Sequence, residues 1–95
     1  MLERTFQAAL IREIKALFPG CVVMKNDANY IQGFPDLLVL FENGKWAALE
    51  CKSRQGAYRQ PNQEHYIETL DKMGFARFIF PENKEEVLNE LQQSL

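Results

Sequence analysis

The stretch DLLVLF (36–41), ENGK (42–45) and WAALECK (46–52) constrains the fold more than any other part of this chain. DLLVLF is an almost uninterrupted apolar run, the pattern of a strand buried on both faces. Asn43-Gly44 at the centre of the next four residues is a strong short-range hairpin signal. KWAALECK (45–52) is therefore the antiparallel partner of 36–41, and the rest of the chain has to be arranged around this hairpin.

Periodicity supplies the other elements. Residues 2–18 carry Leu2, Phe6, Ala9, Leu10, Ile14, Leu17 and Phe18 at helical spacing, and Pro19-Gly20 ends that helix. CVVMKN (21–26) reads as a short strand and DANYIQGFP (27–35) as a loop rich in turn formers. After a polar loop over 53–62, residues 62–73 form a helix with Tyr66, Ile67, Leu70 and Met73 as its apolar stripe. Gly74 stands at that helix's C-terminal glycine position. FARFIF (75–80) is a strand stopped by Pro81, and 83–94 is a helix carried by Val87, Leu88 and Leu91. The order is α-β-β-β-α-β-α: a central mixed sheet flanked by helices, its first three strands antiparallel. The second helix is the crossover to a parallel fourth strand, since such a connection needs about a dozen residues or more.

Length and composition narrow the class. Ninety-five residues without internal repeats or linkers make one domain over 1–95, large enough to bury a core without staples. A 46% hydrophobic content argues against disorder. No uncharged apolar run reaches the roughly 18 residues of a membrane span, and two cysteines, Cys21 and Cys51, cannot build a disulfide framework. The first 20 residues have no uninterrupted apolar core, so they are not a secretory signal. The expectation is a reduced, cytoplasmic protein. A net charge of −2 gives no global basic signature for nucleic acid, so any such partner must be read from local charge.

Local charge is informative. Strand period two sets Trp46, Ala48, Glu50 and Lys52 on one face and Ala47, Leu49 and Cys51 on the other. The hairpin brings the start of its first strand beside the end of its second, so Asp36, directly after Gly33-Phe34-Pro35, lies next to Glu50 and Lys52. A lone Glu-x-Lys is ordinarily an exposed strand-end ion pair worth about 0–1 kcal/mol. Here a Gly-x-Pro-Asp turn, an apolar hairpin and Glu-x-Lys converge on one point. Two carboxylates suit Mg²⁺ or Mn²⁺, which take oxygen donors, and a strand carbonyl such as that of Cys51 can supply a third ligand. A lysine beside them can hold the attacking water or stabilise charge building on a phosphate.

Pro35-Asp36, followed across a hairpin by Glu50-Cys51-Lys52, resembles the PD-(D/E)xK nuclease superfamily. With Glu3 and Gln7 in a first helix, Gly33-x-Pro35-Asp36-Leu37, Glu50-x-Lys52 and Gln63 opening the next helix, nearly the whole chain resembles the virus-type replication-repair nuclease (VRR-NUC) domain, in its stand-alone phage and bacterial form. The resemblance implies a restriction-endonuclease-like core and a divalent-metal-dependent, structure-selective DNA endonuclease. It further implies a Holliday-junction resolvase that acts as a homodimer in a bacterial or phage-infected cell. Carried onto this chain, Asp36 and Glu50 become metal ligands, joined by Glu3 as the N-terminal acid of the metal site, with Lys52 the catalytic lysine and Gln63 its supporting glutamine. The helical stripe 3, 7, 10 and 14 includes Leu10 and Ile14 and faces the sheet. The macrodipole alone would also favour an acid at Glu3, and Gln63 is equally an ordinary first-turn residue. Cys51 stands where the family often has an apolar residue, and only its backbone need touch the metal.

Arg54, Tyr58 and Arg59 in the loop after Lys52 combine positive charge with an aromatic ring, which suits phosphate contact and stacking. Lys25, with Asn26 and Tyr30, marks a second candidate DNA-binding edge. The only histidine, His65, reads as solvent-facing, and neither cysteine has zinc spacing. With a radius of gyration of about 12 Å, one domain addresses one scissile strand, so paired cuts call for a two-fold dimer. Two other readings fit the same residues: a nucleic-acid-binding module of the same fold that does not cut, and a structural α/β protein whose acids are salt-bridge partners.

Overall fold

The computed structural model describes all 95 residues. It contains α1 (Glu3–Leu17), β1 (Val22–Lys25), β2 (Leu37–Leu40), β3 (Trp46–Cys51), α2 (Pro61–Met73), β4 (Phe75–Ile79) and α3 (Lys84–Ser94), in the expected order. The four strands form one mixed sheet in the order β1-β2-β3-β4. β1–β2 and β2–β3 pair antiparallel, and β3–β4 pair in parallel across the α2 crossover.

Register decides which side chains share a face. Val39 opposite Ala47, Leu37 opposite Leu49, and Cys51 opposite Ile79 point to one side. There they meet Phe6, Leu10 and Ile14 of α1 and Val87, Leu88 and Leu91 of α3, and together these make the core. The i, i+4, i+8 spacing of the α1 trio sets them in one line down the helix, and each such buried side chain contributes roughly 1.5–3 kcal/mol. The opposite face carries Leu38, Leu40, Trp46, Ala48 and Glu50. It is covered by α2, which packs mainly on β3 and β4 and leaves a shallow apolar pocket between Leu70 and the β2 side chains Leu38 and Leu40.

That half-cover corrects one expectation. β2 is not buried on both faces: Leu37 and Val39 are buried, Leu38 is half-buried and Leu40 is 38% exposed. The strand enclosed from both sides is β3, where only Trp46 keeps partial access. The same geometry leaves Leu2 just before α1, Leu17 at its end and Met73 of α2 exposed despite their place in the apolar stripes. Tyr66, Ile67 and Leu70 are only half-buried, and α2 has no fully buried residue.

Two turns also differ from the sequence expectation. The hairpin is closed by a three-residue loop, Glu42-Asn43-Gly44, inside a Phe41 N–H to Lys45 carbonyl bond of 3.0 Å, with Gly44 at φ 85°. This sets Leu40 opposite Trp46. Gly74 does cap α2, but its backbone is extended rather than left-handed. Glycine is needed there because a Cβ would come within 2.7 Å of the Trp46 ring.

Candidate active site

The start of β2 and the end of β3 meet at one corner of the sheet. Strand pairing places Leu37 opposite Leu49, and one step further Asp36 faces Glu50. Asp36 lies just before β2 rather than being its first residue, and its Oδ2 accepts the Cys51 N–H at 3.0 Å. The turn before it is held from two sides. Asn26 at the end of β1 donates its side-chain amide to the Pro35 carbonyl at 2.6 Å and its backbone N–H to the Asp36 carbonyl at 2.8 Å. Gly33, at φ 87°, lies against the first turn of α2, where a Cβ would stand 2.4 Å from that of Asn62. Any other residue would push the Pro35-Asp36 turn off the helix, which explains the glycine of Gly-x-Pro-Asp in this chain.

Glu50 and Lys52 project from β3 toward α2 and are only 3% and 8% exposed. Charged groups are rarely this deep unless they are paired and hydrogen-bonded. Gln63 supplies the bonding. Its Oε1 accepts from Lys52 Nζ at 2.8 Å and from the Gln60 backbone N–H at 3.0 Å, while its Nε2 donates to Glu50 Oε2 at 3.2 Å. The bond to Gln60 is half of a capping box that starts α2, with Pro61 in the first helical position. One glutamine thus begins the helix and orients both charged residues. No buried polar side-chain atom in the molecule lacks a partner.

Electrostatics follow from this crowding. The Glu50 carboxyl is pushed up to about 8, first by burial and then by the Asp36 charge and a hydrogen bond with it, against the opposing pull of Lys52. Glu3, at the start of α1, is raised by burial and by Asp36 and lowered by Lys52, so it senses the same corner. Burial pushes the Cys51 thiol up, with Asp36, Glu50 and Glu3 adding to it and a hydrogen bond from Gln7 opposing. Cys51 is therefore a neutral core thiol, and its backbone, not its sulfur, faces Asp36.

The structure brings Asp36, Glu50, Lys52 and Gln63 into one bonded group. Glu3 stays exposed at the rim, and no three His, Cys, Asp or Glu side chains converge closely enough to form a metal cluster. Arg59 adjoins the group: its guanidinium lies 3.9 Å over the Phe78 ring, and Phe78 is the strand partner of Glu50. Arg54 and Tyr58 are exposed on the same loop, which is tied back by the Gln55 N–H to Glu82. Lys25 is not part of that patch, because its pairing with Leu37 sets it on the face opposite Glu50 and Lys52. His65 is exposed at the surface and stacks edge-on with Tyr66.

Three supporting residues escaped sequence reasoning in these roles: Asn26 as the brace of Pro35-Asp36, Gln60 as the third partner of Gln63, and Asn62 beneath Gly33. The one available signal was an Asn at a strand end before a turn-rich loop, where such side chains often bond backbone groups. Comparison of the chain with protein-family models, with curated proteins and with solved structures finds no match in any of the three.

Proposed function

We propose that the protein is a divalent-metal-dependent DNA endonuclease with a restriction-endonuclease-like core, of the virus-type replication-repair kind. The observation that carries this reading is the withdrawal of Lys52 and Glu50 from water, both held by Gln63, at the point where Asp36 arrives on the Cys51 N–H. A stability role explains this poorly, because withdrawing ionisable groups from water is often no better for stability than packing apolar residues in their place. Perturbed ionisable groups in a supported cluster are what phosphoryl chemistry needs.

The donor set fits a hard divalent cation. Burial, with the Asp36 charge and hydrogen bond added to it, lets Glu50 keep its proton to about pH 8, and a cation would replace that proton. The Cys51 N–H already points to Asp36, and a strand residue directs its carbonyl to the same edge as its N–H. Asp36, Glu50 and the Cys51 carbonyl would hold the ion, with Glu3 at the rim adding negative charge that already repels that of Asp36. When bound, Mg²⁺ or Mn²⁺ supplies charge neutralisation at a phosphate and acidity for a water.

The protein's own groups do the rest. Lys52 offers up to two further N–H donors beyond the one held by Gln63, aimed at charge that develops on a phosphoryl oxygen. Gln63 keeps that ammonium from collapsing onto Glu50. Arg59 and Arg54 give positive charge to the strand that approaches along the 53–60 loop. The domain extends 32 × 28 × 22 Å and has one such corner, so paired cuts across a four-way DNA junction take two copies, related by a two-fold axis.

The test is cleavage of a labelled four-way junction and its matched duplex in Mg²⁺, Mn²⁺ or EDTA, by wild type and Lys52→Ala. Symmetric, metal-dependent cuts in the junction, absent in the variant, are the expected result. Binding without cutting in every condition would replace this reading with that of a non-catalytic nucleic-acid module.

A further inference from the structure

Beside the acidic corner, on the side away from Arg59, lies a cavity of about 470 Å³ lined by Asn26, Asp27, Tyr30, Ile31, Phe34 and Leu38. We propose that this cavity receives one unstacked nucleobase, flanking the scissile phosphate, of the DNA strand being cut. The proposal rests on the nuclease reading and deepens it: the substrate class becomes DNA with an unpaired or easily unpaired nucleotide at the cut.

Position is the first argument. Asn26 is at once a wall of the cavity and the residue that bonds the Pro35 and Asp36 carbonyls. A strand whose phosphate sits at Asp36 and Glu50 therefore carries its adjoining nucleoside past this opening.

Chemistry is the second. Phe34 is fixed edge-on by Tyr66 of α2, with ring centroids 5.4 Å apart. Tyr30 is 84% exposed and has no ring partner of its own. An exposed aromatic over an apolar floor of Ile31 and Leu38 is a stacking platform, and stacking accepts any base face. The polar rim is selective. One Asn26 amide N–H is committed to Pro35, which leaves the other as a donor and Oδ1 as an acceptor, and Asp27 Oδ1 takes the Asn29 N–H, which leaves Oδ2. The rim thus offers two acceptors and one donor, matching bases that carry an exocyclic amine beside a ring acceptor, as cytosine and adenine do, and disfavouring thymine, which has no exocyclic amine for the Asp27 carboxylate. The volume is within the range of small-ligand clefts, about 300–1,000 Å³. Selectivity for branched DNA follows, since a base already unpaired enters at least cost.

The experiment is a coupling measurement. Binding of wild type and Tyr30→Ala to a four-way junction is measured in EDTA, with the nucleotide beside the branch either intact or replaced by an abasic residue. Tyr30 is exposed, so its removal leaves the core alone. We expect the abasic substitution to weaken wild-type binding by roughly 10-fold, and Tyr30→Ala to abolish that difference. Asp27→Asn in parallel should narrow the preference for cytosine over thymine at this nucleotide. Independent, multiplying losses, or no loss from the abasic junction, overturn the cavity proposal even if wild type cuts junctions in Mg²⁺. A change of Tyr30→Ala from dimer to monomer without coupling overturns it too, and gives the patch to a second copy of the chain. Coupling without metal-dependent cutting supports the base site and removes the nuclease reading instead.

Discussion

On one face of β3, Ala47, Leu49 and Cys51 are fully withdrawn into the core between α1 and α3; on the other, Glu50 and Lys52 are almost as deeply withdrawn under α2. The same backbone, read at alternate residues, supports two kinds of interior. The first is held by close packing, where each partner is replaceable by another of similar volume. The second is held by three hydrogen bonds through one glutamine, where each partner has a specified donor or acceptor. The difference teaches where stability and chemistry separate in so small a domain. The α1–α3 face should respond to volume and ignore pH, and the α2 face should respond to pH and metal.

The largest effect should come from titrating the second face. Glu50 has an ordinary carboxyl value of 4.5 and is raised to about 8 in the fold. A raised acid favours the protonated folded state, so the stability tied to it is intact below about pH 4.5 and is lost as pH climbs through 8. Each unit in that window costs up to about 1.4 kcal/mol. Thermal unfolding in EDTA at pH 5, 6.5 and 8 should show the fall, and Glu50→Gln should flatten it. Mg²⁺ or Mn²⁺ should restore stability most at pH 8, where the carboxylates are free to ligate. A flat wild-type profile removes the premise that Glu50 is held protonated.

On the first face, Leu49→Ala should cost about 2–5 kcal/mol through lost burial and a cavity, equally at pH 5 and pH 8. A pH-dependent loss, measured by denaturant unfolding, would show that the two faces are not energetically separate. Lys52→Ala should do the reverse. Cleavage should fall by roughly 10²–10³-fold in a protein that remains folded. Because Lys52 is the group that pulls Glu50 down, its removal should also raise the pH at which stability is lost. Gln63→Ala sits between them: about 10–100-fold in activity, with a frayed start to α2.

The comparison also shows what was legible in the residues. Element order, the antiparallel hairpin and the convergence of Asp36, Glu50 and Lys52 all depend on strand period and one turn signal, which are local. The exposure of Leu40 was not legible, because an apolar run records what a strand could bury rather than how much of the sheet one helix covers. The length of the hairpin loop depended on whether Gly44 or the Asn43-Gly44 pair carried the turn, and both use the same residues. Gln63 could be placed at a helix start, but its double acceptance from Lys52 and Gln60 depends on how α2 docks. Asn26 belongs to the same class: its partner Pro35 is near in sequence, yet only the β1–β2 pairing brings the amide to that carbonyl.

The smallest effect concerns the border of the acidic corner. Arg59 lies over Phe78, and the bare contact is worth about 0.5–1 kcal/mol at an exposed site. If that were its whole purpose, Arg59→Ala would show this small loss in unfolding and leave DNA affinity alone. If the ring holds the guanidinium ready for a phosphate beside Glu50, the same variant should also weaken junction and duplex binding equally, and lower the slope of log affinity against log salt by about 1. Lys25→Ala is the matched control, since Lys25 is exposed on the other face of the sheet. A change of slope in Arg59→Ala but not in Lys25→Ala draws the DNA along the 53–60 loop. The opposite pattern draws it along β1 and makes the stacking of Arg59 on Phe78 a packing feature of the fold.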